Sequence, residues 1–261
     1  MVKYNRDGEQ QWIQQYNGDG YGDDVGTGLY IDGGGNVYVT GFSTTTSGID
    51  IITIKYNSSG TQQWLTTYDG TGGNYDSGAD ITVDGSGNVY ITGSSYNANA
   101  NTDIMAIKYN SGGTEQWASS YDGDTHMNDA GIKILLDDQG GVVISAITQY
   151  NIITYKICAI TYNAGNGNLI SAVTSGSAST GIDQVNDMVK DASGNIYIAG
   201  AIPVIGQGYD YDVIKLNSNL GIDWEQTYNG ADDLDDIATG IKTDASGNVY
   251  VTGYTNIING R

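Results

Sequence analysis

The chain has 261 residues, 30 acids against 10 bases and a formal net charge of −20, with 39 glycines, 21 tyrosines, one proline and one cysteine. Such a surface repels phosphate backbones and anionic lipid heads, so nucleic acid binding and membrane insertion are excluded as partners. One cysteine, Cys158, rules out an internal disulfide. One histidine, His126, rules out a multi-histidine metal site or a pair of catalytic histidines. No apolar run reaches the length of a membrane span, and no signal peptide is visible at Met1.

From the first residues onward the chain repeats itself. Val2 to Asn5 and Gln10 to Asn17 read as two strands. They are followed by an alternating run that ends at Asp32-Gly33-Gly34-Gly35-Asn36, and then by the strand Val37-Tyr38-Val39-Thr40-Gly41. Aspartate in an Asp-x-x-Gly-Asn turn can accept hydrogen bonds from backbone N–H groups ahead of it, and the glycine supplies a positive φ without steric cost. β-Branched and aromatic residues on either side favour strands, so the unit is a hairpin. It returns as Asp84 to Gly93, Asp191 to Gly200 and Asp244 to Gly253, with a worn copy from Asp137 to Ala146.

The second period gives the pattern. Asp50 to Tyr56, a turn at Asn57-Ser58-Ser59-Gly60, Gln62 to Tyr68, Ser77 to Val83 and Asn88 to Ser94 are four strands. Lys3, Lys55, Lys108, Thr161 and Lys215 mark equivalent points at spacings of 52, 53, 53 and 54 residues. A period near 50 residues with four strands per period predicts an all-β fold, a β-propeller of four-stranded blades. Trp12, Trp64, Trp117 and Trp224 recur four residues before Tyr16, Tyr68, Tyr121 and Tyr228, and so share a strand face as packing between blades. The fourth period is degenerate, with Ile170 and Thr174 where Trp and Tyr are expected.

Asp-x-x-Gly-Asn-Val-Tyr-Ile-Thr-Gly, with Asp-Ile-Ile-Thr-Ile-Lys-Tyr-Asn and Gln-Gln-Trp-Leu-Thr-Thr-Tyr-Asp, resembles the bacterial SBBP type of β-propeller repeat and, more distantly, NHL repeats. The resemblance covers the whole chain and is weakest over residues 138–182. It implies a secreted or cell-surface bacterial protein. By analogy the strand before Asp-x-x-Gly-Asn is innermost and the Trp strand outermost. One domain over 1–261 then comprises a half blade (1–23), four blades (24–235) and a half blade (236–261). The halves are expected to close a five-period ring through a split blade, the alternative being a fragment of a ring of six to eight blades.

Short uniform turns share one face of this fold and longer varied loops the other, at 17–23, 43–49, 69–75, 95–102, 122–128, 148–154, 174–182, 202–209 and 229–235. Varied loops on a rigid scaffold are where binding resides. Tyr21, Tyr75, Tyr96, Tyr150, Tyr209 and Tyr211 are the candidate ligand-binding residues there, for a protein or a glycan. Asp24, Asp76, Asp129, Asp183 and Asp236 each precede a turn aspartate (Asp32, Asp84, Asp137, Asp191, Asp244) by eight residues. That is roughly 26 Å of strand, too far for a glycosidase pair within one blade. Both sets are expected to cap backbone groups. Asn17, Asp19 and Asp23, partly repeated by Asp122, Asp124 and Asn128, resemble part of a calcium loop with oxygens on alternate residues. Asn229, Asp232, Asp233 and Asp235 form another acidic cluster. Asp80, Lys133 and Asp187 fall at equivalent inner-strand positions against Gly28 and Gly240, where they either line the channel or pair between blades.

No phosphate loop or nucleophile elbow is present. The expectation is a non-enzymatic extracellular binding or scaffold propeller with no catalytic residue and no cofactor beyond calcium, a monomeric ring or part of a longer chain. A purely structural repeat module and a polysaccharide-directed lyase or hydrolase are the alternatives.

Overall fold

The computed structural model describes residues 1–175, 181–217 and 219–257. Its elements are antiparallel hairpins built on the repeated turn. β1 (Val2–Tyr4) and β2 (Gln10–Ile13) form a two-stranded sheet. Four-stranded sheets follow in chain order: β3 (Asp24–Ile31), β4 (Val37–Thr44), β5 (Ile49–Tyr56) and β6 (Gln62–Tyr68); then β7 (Asp76–Val83), β8 (Val89–Tyr96), β9 (Thr102–Tyr109) and β10 (Glu115–Tyr121). The third is β11 (Asp129–Leu136), β12 (Gly141–Asn151), β13 (Thr154–Asn163) and β14 (Leu169–Thr174). The fourth is β15 (Gln184–Lys190), β16 (Ile196–Val204), β17 (Gly208–Leu216) and β18 (Ile222–Tyr228). β19 (Asp236–Thr243) and β20 (Val249–Thr255) close the series as a second two-stranded sheet. Each meander runs outward from its first strand, and the first strands β3, β7, β11, β15 and β19 pack in sequence on one another. The architecture is the β-propeller that the repeat predicts. Among the described residues no helix is long and apolar enough to cross a membrane.

The turn aspartates hold their hairpins by the hydrogen bonds that the motif implies. Asp84 Oδ1 accepts the N–H of Ser86 at 2.8 Å and of Asn88 at 2.9 Å, while Oδ2 takes the Asn88 side chain and the Tyr90 hydroxyl. Asp32, Asp191 and Asp244 repeat the set with Tyr38, Tyr197 and Tyr250. Burial works against ionisation of Asp84, but the Asn88 side chain, the Asn88 and Ser86 N–H groups and the Tyr90 hydroxyl outweigh it and leave the carboxyl below its ordinary range. The worn copy keeps only the N–H groups of Gln139 and Gly141 on Asp137 Oδ1.

Blades are joined by the tryptophans. Trp64 packs between Tyr38 and Tyr109 and donates Nε1–H to the Ser111 carbonyl of the next blade's turn at 3.1 Å. Trp12 and Trp117 do the same to Ser58 and Ala164. In the degenerate third sheet Ile170 is 56% exposed, so the tryptophan's place is not refilled by an equivalent wedge. The apolar core lies between sheets, for instance Tyr90, Ile104, Val142, Ile144, Cys158 and Ile160. Cys158 is buried, which pushes its thiol up to about 12, consistent with a small core residue.

The two halves of the expected split blade remain separate two-stranded sheets, and β20 is not paired with β1. Tyr250 is accordingly 60% exposed, whereas its counterparts Tyr38, Tyr90 and Tyr197 are covered by the neighbouring strand. On the other side, β1 and β2 stand off from β3, leaving a cleft of ≈ 670 Å³ lined by Gln14, Tyr16, Val25, Leu29, Ile52 and Tyr56, among others.

The close approach of tryptophan to turn sets a strict requirement at Gly113. Its φ is +83°, and a Cβ there would meet Trp64 Cδ2 at 2.7 Å. Gly113→Ala is expected to destabilise the protein by about 1–3 kcal/mol, measured as a lowered urea midpoint. Gly112→Ala, which lacks both the positive φ and the ring contact, is expected to leave that midpoint nearly unchanged.

Candidate functional site

The varied-loop face is tied down by the first aspartate of each blade. Asp76 Oδ2 accepts the Gly70 N–H at 2.8 Å and Oδ1 the Tyr96 N–H at 2.9 Å. Asp129 binds the N–H groups of Gly123 and Gln149, Asp24 binds Gly18 and the Ser43 hydroxyl, and Asp236 binds Gly230. Each carboxylate thus anchors the loop between blades to the start of an inner strand. Asp183 occupies the same position, fully buried. Burial, with Asp122 and Asp103 nearby, pushes Asp129 up to about 6 against the pull of its two N–H donors.

The six loop tyrosines do not converge. Tyr21 is fully exposed, Tyr75 packs on Phe42 with ring centres 6.1 Å apart, and Tyr150 lies under the Lys156 ammonium at 4.9 Å. Tyr211 stacks edge-on against Tyr228 at 5.6 Å, and Tyr209 is held through its N–H by Asp235. Tyr96 contributes backbone groups to the loop above Asp76. No described cavity gathers more than one of these six. Part of the expected 174–182 loop lies outside the described residues.

The residues expected from the sequence as calcium ligands make the following contacts. Asn17 turns onto the Gly18 carbonyl, Asp19 accepts the Thr46 N–H, and Asp23 contributes its backbone carbonyl to Thr44. Asp122 pairs with His126 at 2.7 Å, while Asp124 is exposed. Of their side-chain oxygens, only Asp19 Oδ1 is taken by the backbone of the neighbouring hairpin. Among the described residues the one cluster of three acidic side chains close enough to share an ion is Asp50, Asp69 and Asp76, with an oxygen from each within 4.8 Å of the others. Of these the repeat pattern singles out Asp76 alone. Asp50 and Asp69 carry a fainter signal, since acids return at the same places one period later as Asp103 and Asp122.

The axis holds the other concentration of charge. Asp80, Lys133 and Asp187 project from three inner strands and are half-buried. Asp80 Oδ2 accepts the Ile134 N–H of the next blade at 3.1 Å, and Asp187 Oδ2 accepts the Ile241 N–H at 3.0 Å. Asp80 and Asp187 therefore pair between blades as structure. Burial raises the Asp80 pKa. The N–H groups of Ile134 and Ile81 and the Lys133 ammonium oppose it, and Asp187 adds to it. Asp80, Lys133 and Asp187 thus sit within electrostatic reach as two acids and a base.

No protein-family model matches the chain, and no curated protein matches it. Solved propellers do. The Dos1 propeller superposes with a TM-score of 0.58 at 11% identity, over 96% of this chain and 55% of that one. An α-L-arabinanase from Penicillium chrysogenum complexed with arabinobiose gives 0.56 at 13% identity, over 88% of this chain and 74% of that one. Quinohemoprotein alcohol dehydrogenase from Comamonas testosteroni gives 0.56 at 12% identity, over 87% of this chain and 39% of that one. The chain therefore spans about half the length of the Dos1 propeller chain. These likenesses establish the fold. They also correct the non-enzymatic expectation, because an arabinanase is built on this same scaffold. That expectation leaned on the scarcity of bases on the loops, whereas Asp80, Lys133 and Asp187 lie on the inner strands.

One buried acid belongs to neither site. Asp212 stands where Ile52, Met105 and Cys158 stand in the other blades. Burial, reinforced by Glu225 and Asp183, pushes it up to about 8 from 3.8, with the Val213 N–H opposing. The folded state then holds a proton that the unfolded state releases, so this group makes stability fall as pH rises from about 3.8 to about 8. Asp212→Met is expected to flatten that decline and to raise the melting temperature at pH 8, read from melts across the pH range. An unchanged pH profile in the variant would count against the assignment.

Proposed function

We propose that the protein is a polysaccharide-directed hydrolase or lyase of the propeller class, working at its axis. The observation that supports this reading is the axial set of Asp80, Lys133 and Asp187, carried on inner strands of three different blades. Asp80 is half-buried and its pKa is raised by that burial, the direction a general acid needs, so the reading assigns it to protonate a leaving oxygen. Asp187 supplies the second carboxylate, and Lys133 supplies positive charge for an anionic group or a developing negative oxygen. The rigid inner strands suit such a role, because the stitching bonds to Ile134 and Ile241 fix where each carboxylate points.

Tyr21, Tyr75 and Tyr150, exposed on the varied-loop face, offer this reading separate aromatic faces of the kind that suit sugar rings. The SBBP-type resemblance of the repeat makes a secreted or cell-surface bacterial setting part of the same proposal, and that is where polysaccharides are met. The fold shared with an arabinanase makes arabinan the first substrate to try.

Release of reducing ends from arabinan and a panel of plant and bacterial polysaccharides is the test. Asp80→Asn and Asp187→Asn are each expected to lower the rate by about 100-fold or more, with native circular dichroism. Absence of release from every polysaccharide, or equal rates in the variants, removes the hydrolase. Retained binding on affinity gels without release would then leave a glycan-recognition module.

A further inference from the structure

Three positions recur wherever one blade hands over to the next on the varied-loop face: the start of a third strand, the residue after a fourth strand, and the start of the following inner strand. They are Asp50, Asp69 and Asp76, then Asp103, Asp122 and Asp129, then Lys156, Ser175 and Asp183, and finally Asp210, Asn229 and Asp236, recurring every 53 or 54 residues. In the first of these joints the three side chains bring an oxygen each to within 4.8 Å.

The last joint adds an observation of a different kind. Asp210 is 6% exposed and Asp236 is 1% exposed. Oδ1 of Asp210, Oδ1 of Asn229 and Oδ1 of Asp236 are all buried with no hydrogen-bond partner among the described residues. Their remaining bonds orient them. Asp236 Oδ2 is taken by the Gly230 N–H at 2.6 Å, and the Asn229 amide nitrogen donates to Asp233 at 2.9 Å. Each therefore has one buried side-chain oxygen left without a donor. Three buried acceptors without a donor are costly. Oxygen-only donors, two of them carboxylates, fit a hard divalent cation of the calcium kind and not a soft transition metal.

We propose that the joint formed by Asp210, Asn229 and Asp236 binds a calcium ion that clamps the last inner strand to the preceding blade. The three oxygens supply part of its coordination shell, and loop carbonyls and water supply the rest. Where the repeat instead carries Lys156, the first position of the joint offers no oxygen, and no divalent ion is expected there. This site is separate from the axial acids, so its failure and theirs are distinguishable.

Terbium is the probe, because Tyr211 and Tyr228 adjoin two of the ligands in sequence and can sensitise its emission. The full chain is expected to show saturable tyrosine-sensitised terbium emission that calcium displaces, and a melting temperature that rises with calcium. Asp210→Asn combined with Asp236→Asn is expected to weaken terbium binding at least tenfold. Asn229→Ala, which leaves both carboxylates in place, is expected to weaken it several-fold with an unchanged fold. Absence of saturable emission overturns the proposal. So does emission that survives both variants, or that is lost only in Asp50→Asn combined with Asp76→Asn.

Discussion

The architecture depends on one backbone carbonyl per blade. The oxygens of Ser58, Ser111 and Ala164 each accept two donors from the preceding period, an indole N–H and a lysine ammonium: Trp12 with Lys3, Trp64 with Lys55, and Trp117 with Lys108. The ammonium also lies near an aromatic ring, over Tyr38 for Lys55 and over Tyr90 for Lys108. Both donors come from the outer half of a blade and both reach the same turn. The angle at which one blade meets the next is fixed there, and the tilt of the inner strands follows from it.

The third sheet shows what happens when this contact is lost. Thr161 and Ile170 replace the lysine and the tryptophan. The joint to the following blade is instead held by the apolar cluster of Val143, Ile157, Val185, Ile198 and Ile214 and, on the same short-turn face, by Lys190, which donates to the Leu136 carbonyl at 3.0 Å and to Asp138 at 2.6 Å. Longer strands, β12 and β13, extend the pairing within that sheet. One charged contact at the surface is a weaker substitute for a packed indole.

Strand order, turn chemistry and blade count are legible in the sequence because each is set within one period by residues a few positions apart. The Asp-x-x-Gly-Asn turn is self-contained, so its hydrogen bonds follow from five consecutive residues. The relation of the half blades is not legible, since it depends on small angles accumulated over four joints. The grouping of Asp50 with Asp69 and Asp76 escapes sequence reasoning on other grounds. Those residues lie on two strands and a loop, and only the handover between blades brings them together. The acids at the axis stand out by their register, but the raised pKa of Asp80 depends on burial that composition does not report.

The weakened joint after the third sheet has a consequence for how the molecule comes apart. In an array where each unit touches only its neighbours, cooperativity is passed along contact by contact. Loss of the indole wedge at Ile170 leaves that passage to the apolar cluster of Val143, Ile157, Ile198 and Ile214 and to the Lys190 contact. Amides of β14 are then expected to exchange with solvent ahead of those in the other sheets. Under a load drawn across the molecule, this seam is expected to part before any turn aspartate lets go.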